Sequence, residues 1–140
     1  MIIKRALGWV FYASEEPFYF DPEKCGKWMY FTSDAKFAEQ LCREAVEQNI
    51  VKEAKHTDPM MKKPNLLCCF YLNIDDMQGH KKVIQFFLDH NLISRTKTGK
   101  LKKISFKLDR QTEKGEYGSD YVAKLDLSNF LDLTTGKWII

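Results

Sequence analysis

Residues 66–74, LLCCFYLNI, constrain the fold more than any other stretch of the chain. Short, apolar and bounded by polar loops, this run reads as a strand covered on both faces. Such a strand needs neighbours on both edges and packed layers above and below. It also settles the cysteine chemistry. Adjacent strand residues point to opposite faces, so Cys68 and Cys69 share neither an ordinary disulfide nor a zinc ion. Cys25 and Cys42 stand alone, no CxxC spacing occurs, and His56, His80 and His90 form no ligand pair of the usual spacing. The expectation is reduced, structural cysteines, no cofactor, no metal, and a reducing, cytoplasmic location.

Residues 7–13 (LGWVFYA) and 27–32 (KWMYFT) read as further strands. Ser33 and Asp34 offer N-cap oxygens to a helix whose apolar stripe is Phe37, Leu41 and Ala45, with Ala38, Cys42 and Val46 beside them; Asn49 ends it. Residues 51–56 are a half-polar strand candidate, and 57–65, with two prolines, are a loop. Asp75 and Asp76 cap a second helix carrying Val83, Ile84, Phe87 and Leu88 on one face and ending at Asn91. A basic turn at 95–103 leads to a strand at 104–108, a polar loop at 109–118, a last strand at 121–127 and a tail whose Phe130, Leu131, Leu133 and Trp138 pack. Strands outnumber helices and are mostly hairpin-linked. The fold class is therefore α+β, a curved, mainly antiparallel sheet with two long helices on one face.

A chain of 140 residues makes one domain, 1–140. Apolar residues at 44% and charged residues at 29% exclude disorder and a collagen-like fibre. A net charge of +3 does not by itself announce a nucleic-acid binder. No apolar run approaches the roughly 20 residues of a membrane span, and the first residues lack a secretory pattern, so no membrane partner is expected. The unusual figure is aromatic content, 14%.

The order and spacing of several landmarks resemble the cap-binding translation initiation factor. They are Phe18-Tyr19 ahead of Gly26-Lys27-Trp28-Met29, the helix from Asp34, the basic loop from Lys55 to Lys63, the strand through 67–72, the second helix, and 104–107 followed by 111–115. A closer resemblance is to the BLES-like family, which shares that fold and whose prokaryotic members carry the label phosphothreonine lyase domain. The shared pattern is GKWMYF, then Ala54-Lys55, then Phe106-Lys107-Leu108-Asp109 with Thr112 and Gly115-Glu116-Tyr117. The resemblance covers about residues 8–118. It implies a concave pocket where aromatics of the 18–20 loop stack on a base and cations of the 55–63 hairpin hold phosphates, with Lys27 near them and Gln111, Thr112, Lys114 and Tyr117 beside the mouth.

The residues leave alternatives open. Phe18, Tyr19 and Phe20 either stack on a ligand ring or cover a sheet edge. Lys52, Lys55, His56, Lys62 and Lys63 either converge on an anion or decorate a solvated hairpin. Phosphothreonine lyases pair a lysine base with a histidine acid, but Lys55 and His56 are neighbours and diverge if their segment is a strand. Arginines for clamping phosphate are few: Arg5, Arg43, Arg95 and Arg110. Arg95, Lys97, Lys100, Lys102, Lys103 and Lys107 form a basic run with no acidic residue interspersed, suited to polyanions such as RNA or to a protein partner, or to solubility alone.

The expectation is non-catalytic binding of a nucleotide or nucleotide-derived phosphorylated ligand by Phe18, Tyr19, Lys27, Lys55, His56, Lys62, Lys63, Arg110, Thr112 and Lys114. Such a protein would sequester a signalling nucleotide, as phage anti-defence proteins do. The alternatives are a phosphothreonine-lyase-like enzyme and an RNA- or protein-binding module built on 95–107.

Overall fold

The computed structural model describes residues 1–113 and 123–140. Among these residues seven strands form one antiparallel sheet, β1 (Ile2–Ala6), β2 (Trp9–Ala13), β3 (Cys25–Thr32), β4 (Glu53–Thr57), β5 (Leu66–Asn73), β6 (Ser105–Leu108) and β7 (Leu125–Asp126), in the order β1-β2-β4-β5-β3-β6-β7. Two 13-residue helices, α1 (Ala35–Glu47) and α2 (Met77–Asp89), pack on it; a five-residue α3 (Asp109–Glu113) follows β6. The class is α+β, as the sequence implies. The sheet is neither closed nor strongly curled. Among the described residues, no helix is long and apolar enough to cross a membrane.

β5 occupies the centre, flanked by β4 and β3, which is why its sequence is apolar on both faces. Cys68 and Cys69 do point to opposite sides, and all four cysteines are free. Val10, Tyr12, Ala54, His56, Cys68, Phe70, Trp28, Phe106 and Leu108 face the helices, meeting Ala38, Leu41, Cys42, Ala45 and Val46 of α1 and Val83, Ile84 and Phe87 of α2. Trp28 lies at the middle, against Phe106, Phe130 and His80. Gly26 is obligatory here, because a Cβ would come within 2.5 Å of the Phe106 ring.

Both helices begin and end as their capping residues dictate. Asp34 accepts from the Phe37 amide at 3.1 Å and Asp76 from the Gly79 amide at 3.0 Å. Asn49 and Asn91 adopt left-handed backbone, φ 57° and 55°. The bonds from Ile50 N–H to Ala45 and from Leu92 N–H to Phe87 close the last turn in each case. Asp75 does not cap; it pairs with Lys24 at 2.7 Å.

Three local expectations are corrected. The first strand does not start at residue 7. Leu7 (φ 53°) and Gly8 (φ 84°) form a two-residue turn between β1 and β2, with positive φ at both positions. Leucine pays about 1–2 kcal/mol for that conformation, and β1, exposed throughout, has no apolar period to announce it. Residues 109–113 are helical rather than loop. Of the last expected strand, among the described residues only Leu125–Asp126 pairs, with β6; Tyr121 and Val122 lie outside them. The basic turn is a small hairpin bridged at Arg95 and Leu101, with Gly99 at φ 85°. The tail packs as expected, with Phe130 and Leu131 buried and Leu131 bridged to Trp138.

Candidate functional site: the open face of the sheet

The alternate residues of the same strands form the face opposite the helices. Register places Trp9 and Phe11 of β2, Glu53, Lys55 and Thr57 of β4, Leu67, Cys69 and Tyr71 of β5, Cys25, Lys27, Met29 and Phe31 of β3, and Lys107 of β6 on it. Two lysines lie low on this surface. The Lys55 ammonium sits 3.9 Å from the Trp9 ring centre, 5.5 Å from that of Phe11 and 5.6 Å from that of Tyr71. Rings supply a negative face to the cation, but none is a charge, and Lys55 makes no ion pair among the described residues. Burial accordingly lowers its pKa from 10.5, with Lys27 adding repulsion and Asp109 and Glu53 opposing. Lys27, only 9% exposed, bonds the Asp109 carboxylate at 2.6 Å. Asp109 opens α3 and also accepts from the Cys25 thiol at 3.6 Å.

The neighbours respond to the same dry surroundings. Burial raises the Glu53 carboxyl, with Lys55 pulling the other way. Burial also pushes the Cys69 thiol up to about 12 against the two lysines, and the Cys25 thiol up to about 12 with help from Asp109. The Tyr71 hydroxyl rises for the same reason. None of these thiols is an activated nucleophile. Among the described residues, no three His, Cys, Asp or Glu side chains gather to hold a metal ion.

At the end of the face where β4 finishes and β5 begins lies a cavity of about 350 Å³. Trp9, Thr57, Leu67 and Phe31 stand level across four adjacent strands, the inner two as floor and the aromatics as walls. Three strand spacings separate the walls, about 14 Å between backbones. The Thr57 hydroxyl is engaged by the Leu67 amide at 3.0 Å, which holds the floor low. Met61 closes the outer end and Lys63 stands on the rim. Phe31 is 62% exposed although it walls the cavity.

The expected site residues distribute unevenly over this frame. Lys27 and Lys55 reach the open face together. His56 is turned to the helix side, where its Nδ1 donates to the Thr57 carbonyl at 2.8 Å and its Nε2 meets the Tyr12 hydroxyl at 2.9 Å. It does not join Lys55, as their adjacency on a strand implies. Lys62, itself left-handed at φ 52°, and Lys63 occupy the β4–β5 loop. Phe18 and Tyr19 belong to the opposite end of the sheet. Their loop is pinned there by the Asp21 amide on the Asn73 side chain at 3.0 Å, and Phe18 rests on Phe20, which reaches Tyr71. The eight residues of β5, about 23 Å of strand, separate the two groups, so rings 18–19 and cations 62–63 do not converge. Tyr19 is 75% exposed. Arg110 bonds Glu23 at 3.3 Å and ties α3 to the aromatic loop. Thr112 falls in α3, and Lys114 and Tyr117 lie outside the described residues.

Trp9, Phe11, Glu53, Tyr71, Phe31 and Asp109 are absent from the sequence-derived set. The alternation of WVFYA and EAKHT carries the signal that finds the first three, once strand parity is assigned from the buried Val10, Tyr12 and Ala54. Compared with protein-family models and with curated proteins, the chain matches none.

Proposed function

We propose that the chain binds, without transforming it, a nucleotide or nucleotide-derived phosphorylated ligand on the open face of the sheet. One observation carries this reading. An aromatic-walled cavity of about 350 Å³, within the size range of small-molecule sites, has Lys63 on its rim and, resting on its Trp9 wall, the Lys55 ammonium, which makes no ion pair among the described residues. A flat heterocycle fits between Trp9 and Phe31, where stacking contributes about 1–3 kcal/mol per ring. The phosphates meet Lys63 and Lys55. Three segments that carry the family resemblance, at Lys27, Lys55 and Lys107 to Asp109, also reach this one face. Tight retention of such a ligand without transforming it amounts to sequestration.

Calorimetry with mono-, di- and cyclic nucleotides tests the reading. At least one should bind, Trp9→Ala should weaken it by roughly tenfold or more, and Lys55→Ala should weaken phosphorylated members more than nucleosides. Absence of heat from the whole panel overturns it. A second reading, elimination of phosphate from phosphothreonine with Lys55 as base, draws support from the lowered lysine pKa. Its acid cannot be His56, which lies across the sheet; the assay is phosphate release from a phosphothreonine peptide, with Lys55→Ala as control.

A further inference from the structure

β3 is longer than its outer neighbour. β6 pairs with Gly26, Lys27 and Trp28 only, and the outer edge of residues 29–32 carries no ladder among the described residues. The chain before β6 turns away instead, through a tight bond from the Ile104 amide to the Lys102 carbonyl at 2.9 Å. A groove of about 500 Å³ is left between this half of β3 and the segment 91–105. Its walls are apolar, from Met29, Tyr30, Phe87, Leu92 and Ile104, and Lys102 stands at its lip.

We propose that this groove receives an extended, acidic peptide segment of a partner protein, added as a strand in line with β6 and antiparallel to β3. Phe31 lines both this groove and the cavity of the nucleotide reading, but the strand edge and the cations used here take no part in that reading. An unpaired strand edge offers alternating amides and carbonyls at fixed spacing, which only another polypeptide backbone matches in register. Four positions at about 3.3 Å each give some 13 Å of pairing, the length of a short recognition motif. The apolar walls take alternate side chains of the incoming strand.

Charge selects its character. The sequence from 91 to 108 holds no Asp or Glu, and it presents Arg95, Lys97, Lys100, Lys102 and Lys103 beside the groove. Lys100 is answered by Asp132, whose carboxyl it helps to lower. Lys102 and Lys103 are exposed and make no ion pair among the described residues, so they remain for a partner's carboxylates. The hairpin 94–102 that carries most of these cations contains no aromatic residue, and of the rings lining the groove Phe87 is buried and Tyr30 half-buried, which leaves Phe31 as the one exposed ring there, too few for successive bases to stack. That favours a peptide over a single-stranded nucleic acid.

The test uses the full chain and a displayed library of random octapeptides. Enriched sequences should alternate acidic and apolar residues. A synthetic representative should slow hydrogen exchange at amides in 29–32. Methylating one central peptide nitrogen, which deletes a ladder donor without touching the protein, should cost roughly tenfold or more in affinity. Lys102→Glu with Lys103→Glu should weaken the peptide by roughly tenfold and leave nucleotide calorimetry unchanged. The proposal is overturned if no acidic consensus emerges, if the methylated peptide binds equally well, or if protection falls elsewhere. It is overturned too if a single-stranded RNA dodecamer binds in a charge-reversal-sensitive manner while no peptide does. A failed nucleotide panel leaves it untouched.

Discussion

The two faces of this sheet are made from alternate residues of the same strands, yet they treat buried polar groups in opposite ways. Beneath the helices the two buried histidines, His56 and His80, are satisfied by neutral partners. His80 donates from Nε2 to the Ile74 carbonyl at 2.7 Å and accepts the Trp28 indole at Nδ1 at 3.0 Å, which fixes one tautomer. His56 is held between Tyr12 and Thr57 in the same manner. On the open face two lysines and two carboxylates, Lys27, Lys55, Glu53 and Asp109, stand buried or half-buried, and Lys27 and Asp109 form a close ion pair. A saturated network serves folding and has no capacity left for a ligand. An ammonium that rings contact but no anion neutralises retains that capacity.

The contrast is open to experiment. The largest effect is expected in the helix-side core, where Trp28→Ala should cost about 3–5 kcal/mol in urea unfolding; the open-face counterpart Trp9→Ala should cost distinctly less while losing ligand. Equal losses from the two tryptophans would break the comparison. Next, Tyr12→Phe leaves the His56 Nε2 without its donor and should cost about 1–3 kcal/mol, with nucleotide affinity unchanged.

A pH titration sharpens the contrast further. Burial depresses His80 below 6.5. The stability this histidine contributes is therefore present above that value and lost as pH falls through its folded-state pKa. Trp28→Phe removes the indole that forbids a proton on Nδ1, so it should flatten the acid limb of the stability curve while lowering the plateau by roughly 1–2 kcal/mol. An acid limb of unchanged steepness would sever His80 from it.

The smallest effect belongs to Lys55→Met, which should stay within about 1 kcal/mol of the parent at neutral pH and abolish the preference for phosphorylated ligands. Because burial lowers the lysine's pKa, its stability contribution is present above 10.5 and lost as pH falls through the lower folded-state value. The parent should thus gain on the methionine variant as pH rises toward 10.5. A variant that gains on the parent instead would invert the assignment of Lys55 as a desolvated cation.

The sequence was most readable where local chemistry decides. The Asp34 and Asp76 caps, the Asn49 and Asn91 stops and the doubly buried β5 all follow from short-range rules. So does the divergence of Lys55 from His56. β1 escaped because Leu7-Gly8 makes its turn without the usual asparagine, and α3 because five polar residues show no stripe. The site was less readable for a different reason. Which end of the sheet a loop occupies depends on strand pairing across the whole chain, and that pairing sends residues 18–19 and 62–63 to opposite ends. Parity within each strand, by contrast, was within reach, and would have promoted Trp9 and Phe11 over Phe18 and Tyr19.

The short strand β4 carries a consequence for how the chain finds its native alignment. Its five residues hold an ammonium and an imidazole side by side, one for each surface. Slippage against β2 by a single position would drive the lysine under α1 and lift the histidine into the trough, stranding a charge among Ala38, Leu41 and Ala45 at a cost of several kcal/mol. The contact between Tyr12 and His56 forms in only one of the two alignments and so adds to the energy gap between the correct pairing and the slipped one.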